Sequence, residues 1–319
     1  MLDKNDFSKK QIIMIFCNNG EKLSFRNDNL IVRDDQDKIK LQVTCYRIFA
    51  VFVVGSITIT SGLIQRAHKF SFSIALFSAG FRLYDMIGSA DRGNTYLRRK
   101  QYQYNDTEVA KQIIYNKILN QQSLLRGMRY KSEYLKEAIE RINQYTAGLK
   151  SAATVQSIMG YEGSVSKIYF KAWFNNVLWS GRKPRVKNDM TNSLLDIGYT
   201  VLFSFIEALL SIYGFDLYVG VLHREFYMRK SLVCDLVEPF RPIIDKQVRS
   251  SINLRQFTED QFLVQNYQYL LKWEYSPKVI SIFLKAIMEY KTEIFLYIQK
   301  YYRCFMKNET IDKYPLFEM

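Results

Sequence analysis

Residues 222–242, LHREFYMRKSLVCDLVEPFRP, place one of the chain's two histidines, His223, upstream of two carboxylates three residues apart, Asp235 and Glu238. On a helical turn residues three apart share a side, so the two acids repel each other unless a cation lies close by. Arg241, three residues beyond Glu238, can be that cation, and the stretch is then a kinked helix with an internal ion pair. Pro239 and Pro242 bend it in either case, because each lacks an amide hydrogen and disfavours the α conformation in the residue before it. A further acid, Glu162, stands within Gly160-Tyr161-Glu162-Gly163, between two apolar segments. A carboxylate in such surroundings is either a solvated surface turn or is held by a partner or a cation. Carboxylates combined with a single imidazole suit Mg²⁺ or Mn²⁺, and the imidazole leans toward Mn²⁺. Three protein ligands leave positions for a phosphate oxygen and water, which is the arrangement of a phosphodiester-transfer site. No Ser-His-Asp order, P-loop or G-x-G-x-x-G stretch competes with that chemistry. The second histidine, His68, lies between Ala67 and Lys69 on an amphipathic segment and reads as a surface residue.

The charge balance points the same way. Forty-five Lys and Arg against 31 Asp and Glu leave a net charge of +14. A surplus of that size attracts polyanions, nucleic acid first and an anionic membrane surface second. Lys-rich composition in an AT-rich genome produces the same surplus without any such partner. Two segments concentrate it. Arg98-Arg99-Lys100 lies in DRGNTYLRRKQYQYN, and four cations fall in Ser180-Gly181-Arg182-Lys183-Pro184-Arg185-Val186-Lys187-Asn188. Each fits a phosphate-tracking segment or a plain solvated one. The four cysteines, 17, 45, 234 and 304, form no C-x-x-C pair, which speaks against a zinc knuckle or disulfide framework and for a reducing cytosol. The N-terminal MLDKNDFSKKQ is polar, without a signal-peptide core. Residues 197–215, IGYTVLFSFIEALLSIYGF, have the length of a membrane span but carry Glu207 midway and are flanked by Asp196 and Asp216. They are expected to form the central buried helix of a helical domain in a cytoplasmic protein.

The elements that must position these residues change period along the chain. Short β-branched runs at 11–16, 29–33, 38–44, 47–55, 56–60, 70–78 and 81–88, with turn formers such as Asn18-Asn19-Gly20 between them, predict strands. Thr60 or Ser61 caps one interrupting helix. From about residue 106 the period is 3.6, with Asp106 or Thr107 as an N-cap, a helix over 131–149, and one begun by Ser276 and Pro277. The expected fold is α+β in two domains. A β-sandwich-like domain spans 1–90, a basic linker 91–105, and an all-α catalytic domain 106–319.

The chain resembles the CRISPR adaptation integrase family. The resemblance runs through V-V-G-S-I-T-I-T-S-G-L-I, N-T-Y-L-R-R-K-Q-Y, G-Y-E-G, the R-K-P loop, T-N-S-L-L-D-I-G-Y, G-F-D-L-Y-V-G-V-L-H and D-L-V-E-P-F-R-P-I-I-D, in that order. It implies metal ligands at Glu162, His223 and Glu238, with Asp235 as an additional acid beside the site. Arg98, Arg99, Lys100, Arg182, Lys183 and Arg241 are the expected phosphate contacts. The implied activity is metal-dependent insertion of short foreign DNA into a CRISPR array, by attack of a 3′-hydroxyl on phosphodiesters at the repeat edges. The implied partners are double-stranded DNA, a second copy of the chain meeting at the N-terminal domain, a small ferredoxin-like adaptation protein and, in some systems, an iron–sulfur exonuclease. The family often has a proline where this chain reads Gly-Phe-Asp-Leu-Tyr, and another after R-K-P, where Arg185 stands. A branched- or single-stranded-DNA nuclease without integration specificity, and a non-catalytic DNA-binding scaffold, are the alternatives.

Overall fold

The computed structural model describes residues 9–17, 20–78, 81–88, 94–130, 132–175, 179, 181–223 and 227–319. The leader residues 1–8, Asn18 and Asn19, the 91–93 part of the basic stretch, Ser180 and residues 224–226 lie outside the described residues. The chain divides into two compact units, Met1–Thr95 with Glu207–Phe215, and Tyr96–Ile206 with Asp216–Met319.

In the first unit β1 (Gln11–Cys17), β5 (Ile48–Gly55), β6 (Ser73–Phe77) and β7 (Leu83–Gly88) form a four-stranded sheet in the order β1-β5-β6-β7. The first three of these are parallel and β7 is antiparallel. β2 (Lys22–Arg26), β3 (Asn29–Arg33) and β4 (Ile39–Thr44) form a separate antiparallel sheet. β5 reads IFAVFVVG and is buried along seven consecutive residues, as a central strand covered on both faces must be. Leu30 and Val32 of one sheet, Ile13, Val51 and Ile74 of the other, and Leu63 and Ala67 of α1 (Ser61–Phe70) enter one apolar core. The strand expected over 56–60 does not form. Gly55 sits at φ 105°, where a Cβ would lie 2.4 Å from the Cys17 carbonyl oxygen, and the chain leaves the sheet there. The released segment runs to Thr60, whose hydroxyl accepts from Leu63 N and caps α1. His68 is exposed on that helix.

The second unit is built from α2 (Thr95–Gln103), α3 (Glu108–Arg126), α4 (Glu133–Leu149), α5 (Val155–Trp173), α6 (Met190–Tyr213, whose last turns belong to the first unit), α7 (Ser231–Val237), a 3₁₀ turn (Glu238–Phe240) and α8 (Arg241–Asn253). A hairpin, β8 (Phe262–Gln265) and β9 (Gln268–Leu271), precedes α9 (Ser276–Glu289) and α10 (Lys291–Lys307). The hairpin corrects the expectation of an all-α second half: Asn266 and Tyr267 both take left-handed φ, as a two-residue hairpin turn requires. The basic linker is also corrected in part. From Thr95 it is helical, because Leu97 and Gln101 supply a buried face one turn apart. α6 is long and apolar enough to cross a membrane by length and composition, yet 67% of its most apolar window is buried within the protein.

α6 packs tightly at Gly198, where an added Cβ would lie 2.4 Å from Ile244 Cγ2 and 3.0 Å from Phe283 Cε1. Gly198→Ala sets an overpacking cost of about 1–3 kcal/mol against a gain in helix propensity of about 1 kcal/mol. Clashes with two fully buried side chains decide the sign, and thermal unfolding should show a lower Tm for the variant.

Candidate active site

The site begins on α3. Asp106 Oδ1 accepts from the amides of Thr107 and Glu108 and starts the helix. Its buried face then carries Ala110, Ile113, Ile114, Lys117, Gln121 and Leu124 at three- and four-residue spacing. Lys117 is thus a lysine in a core position, with its side chain 7% exposed. Its ammonium meets Glu162 of α5 and lies 2.7 Å from Glu238 Oε2 in the 3₁₀ turn. Glu162 also accepts from Ser166 Oγ, one helical turn on, at 2.8 Å. Glu238 Oε1 accepts from Arg241 Nε at 2.9 Å. The turn itself is tied to α3: Asn120 Nδ2 donates to the Pro239 carbonyl at 3.0 Å and to that of Phe317 at 2.9 Å. The Gly160–Gly163 stretch lies inside α5 rather than in a surface turn, and a Cβ at either glycine would meet nothing within 4 Å.

Asp235, fully buried in α7, organises the segment that carries His223. Its Oδ2 accepts from the amides of Val221 (2.6 Å) and Leu222 (3.0 Å), and its Oδ1 from the amide of His223 (3.1 Å). His223 Nδ1 lies 2.7 Å from the same Oδ1. Facing a carboxylate, Nδ1 carries the proton and donates, which leaves the Nε2 lone pair available. Gly220 makes this possible, since a Cβ there would stand 2.6 Å from Asp235 Oδ2. The other end of the segment is held by α2: Gln101 Nε2 donates to the Asp216 carbonyl at 3.0 Å, and Gln101 Oε1 accepts from the Asp216 amide at 2.9 Å. Asp235 and Glu238 are thus three residues apart yet serve different partners, which removes the repulsion expected between them.

The electrostatics follow from burial. Desolvation alone would raise the Glu238 carboxyl, but Arg241 and Lys117 outweigh it and hold it down at about 2; His223 adds to the lowering. Glu162 is lowered for the same reason, with Lys117 overcoming its burial and the repulsion of Glu238. Burial disfavours the Lys117 ammonium, yet the two glutamates raise its pKa. Asp245 behaves differently: burial pushes it up to about 6 although the hydroxyls of Tyr199 and Tyr169 both donate to it. Arg241 lies 4.5 Å from the Tyr199 ring centroid and Arg182 5.4 Å from it, so this tyrosine backs two guanidiniums.

Lys117, Glu162, Arg182, Tyr199, Glu238, Arg241 and Asp245 line a cavity of about 1900 Å³ in which nine basic side chains face four acidic ones. Of the expected phosphate contacts, Lys183 is exposed at its rim, together with Arg185. Arg182 reaches it but is engaged, pairing with Asp196 at 2.5 Å and donating to Asn192 Oδ1 at 3.0 Å. Arg241 is engaged with Glu238. Arg98, Arg99 and Lys100 lie on α2 and do not line this cavity. Arg99 is exposed, whereas Lys100 donates to the Met306 carbonyl and to Asn308 Oδ1 beyond the end of α10.

The structure therefore brings Glu162, Glu238 and Arg241 together, and places His223 against Asp235. Lys117 was missed in the sequence, although a lysine at core spacing on α3 demands a buried acid partner. Among the described residues no group of three or more His, Cys, Asp or Glu is assembled as a metal cage. The donor set nevertheless fits a hard divalent cation. Two carboxylates converge on one buried positive charge, with Glu238 Oε2 2.7 Å from it. Of the expected ligands, Glu162 and Glu238 meet at Lys117, and His223 is held against Asp235.

Two outcomes test this geometry. Gly220→Ala should lower Tm by several degrees while Gly163→Ala, whose Cβ meets nothing, should not. For Asp245 the raised carboxyl stabilises the fold fully below its ordinary 3.8 and loses that contribution as pH rises through about 6. The Tm difference between Asp245→Asn and wild type should therefore shift in favour of the variant from pH 4 to 7; a constant difference would contradict the assignment.

A family model described as CRISPR associated protein Cas1 matches residues 14–285. The chain is 27% identical over 303 residues to the CRISPR-associated endonuclease Cas1 1 of Francisella tularensis subsp. novicida, an alignment covering 90% of this chain and 93% of that protein. It is 30% identical over 238 residues to the CRISPR-associated endonuclease Cas1 1 of Pyrobaculum aerophilum, covering 71% and 77%. Among solved structures, its fold is similar to a chain of a partial Cas6-RT-Cas1–Cas2 complex, with a TM-score of 0.76 at 21% identity over 96% of this chain and 98% of that one. It is similar also to a casposase bound to integration product, with a TM-score of 0.72 at 19% identity over 97% and 94%. The family model spans most of the chain and takes in Glu162, His223, Asp235 and Glu238, and this protein belongs to the Cas1 family of CRISPR-associated proteins.

Proposed function

We propose that the chain is a metal-dependent DNA endonuclease and integrase that inserts short foreign DNA into a CRISPR array. The observation that carries this reading is the convergence of Glu162 and Glu238 on one buried cation at the wall of a basic cavity, with His223 near enough to lower the Glu238 carboxyl. Glu162, Glu238 and His223 would hold a Mg²⁺ or Mn²⁺ ion, which would supply Lewis-acid polarisation of the phosphoryl group and stabilisation of the departing oxygen. The protein's own residues do the rest. Asp235 fixes the tautomer and direction of His223. Arg241 holds Glu238 ionised and oriented through its Nε. Lys183 and Arg185, exposed at the rim, meet the DNA backbone, where contacts fix position rather than sequence. The attacking 3′-hydroxyl comes from DNA, so no covalent enzyme intermediate forms. Arg98 and Arg99 extend the phosphate contact away from the cavity.

The family membership supports the partners as well. Solved relatives include complexes named for Cas1 and Cas2, and by analogy this chain works as a dimer formed by its β-rich unit, bridged by a small ferredoxin-like adaptation protein. An iron–sulfur exonuclease joins in some systems. The site of action is double-stranded DNA in the prokaryotic cytoplasm. Hydrolysis of branched DNA without integration is the second reading, favoured by relatives named as endonucleases.

A strand-transfer assay on a repeat-containing plasmid, with and without the small partner, separates these. His223→Ala and Glu238→Gln should each lower insertion at least 100-fold, and a chelator should abolish it. Full activity of His223→Ala, or insertion that ignores chelator, would overturn the metal-dependent reading.

A further inference from the structure

Lys117 stands where two carboxylates meet, and its charge is matched by theirs. The ion-paired group Lys117, Arg241, Glu162 and Glu238 carries two positive and two negative charges, which balance within it. A divalent cation added between the same glutamates would take that group to +2 in an interior that screens charge poorly. One of the resident cations must then withdraw. Arg241 is poorly placed to do so: its Nε is fixed to Glu238 Oε1 and its guanidinium lies over the Tyr199 ring. Lys117 is well placed. Its ammonium ends a flexible four-carbon stem, meets Glu162 and Glu238 as a compact charge rather than through a fixed planar fork, and lines the cavity into which it can move.

We infer that Lys117 is a resident counter-cation for the metal ligands, holding Glu162 and Glu238 together in the metal-free protein and displaced from between them when a divalent ion binds. The inference rests on the metal site of the proposed function and adds a residue that lowers metal affinity while stabilising the metal-free fold. Lys117 is in this sense a positioning residue, since it acts through the two glutamates.

Calorimetric titration of the full chain with Mn²⁺ tests it, alongside thermal unfolding with and without the ion. Lys117→Met should bind Mn²⁺ at least tenfold more tightly than wild type. Its metal-free Tm should fall, and Mn²⁺ should raise its Tm by more than it raises that of wild type. Lys117→Gln, whose amide keeps a hydrogen bond to either glutamate, should change affinity in the same direction even if the methionine variant does not fold. Glu238→Gln, which removes a ligand, should lose binding and so check the site itself. If wild type binds Mn²⁺ and Glu238→Gln does not, but the Lys117 variants bind equally or more weakly, the inference fails and the metal site stands. If wild type binds no Mn²⁺, both fail.

Discussion

A charge taken out of water must be matched where it lies, and the second unit of this protein is arranged around one such match. Lys117 lies on the core side of α3, and only the carboxylates of Glu162 and Glu238 make that position tolerable. Leaving one member of a buried ion pair without its partner typically costs about 3–5 kcal/mol. Three separate elements are thereby required to meet: α3, the middle of α5 and the 3₁₀ turn after α7. The same helix face holds the turn through Asn120 and receives the C-terminal segment through Asn116, whose Nδ2 donates to the Phe317 carbonyl at 2.7 Å while its Oδ1 accepts from the Phe317 amide at 2.8 Å. A polar spine on an otherwise apolar helix thus fixes where the acids of the site can be.

The surplus of positive charge divides into two uses. Some cations are consumed inside the fold, as Lys100 is at the end of α10 and Arg182 is with Asp196 and Asn192. Others, Lys183 and Arg185 among them, stay exposed. Arg185 and Lys187 both take left-handed φ, near 65° and 55°, in a loop clamped by Asn192 and Asp196. Non-glycine residues in that region carry strain of about 1–3 kcal/mol, and the clamp is what keeps the exposed cations presented. Net charge alone does not distinguish these uses; side-chain partners do.

Local pattern made part of this visible in advance. The histidine upstream of two acids, the Arg241–Glu238 pair and the strands of the first unit follow from spacing and β-branched runs. The GYEG helix did not, because two glycines suggest a turn unless the capping of α5 by Thr154, six residues before Gly160, is weighed with them. Nor did the end of β5, which depends on how closely Gly55 approaches Cys17, a contact between distant residues. The C-terminal helical segment breaks at Tyr290, with φ −108° and ψ 15°, where no glycine or proline marks the end. Lys117 was legible in principle, as a cation in a core register, but its two partners lie 45 and 121 residues away in sequence and no local pattern names them.

The central claim is that Glu162, Glu238 and His223 form one divalent-metal site whose place in the metal-free protein is taken by Lys117. Anomalous diffraction from crystals grown or soaked with Mn²⁺ tests it directly. The account requires a single strong anomalous peak contacted by both glutamates and the imidazole, with the Lys117 ammonium moved out from between the carboxylates. A peak elsewhere, or no peak with Lys117 still bridging Glu162 and Glu238, would contradict it.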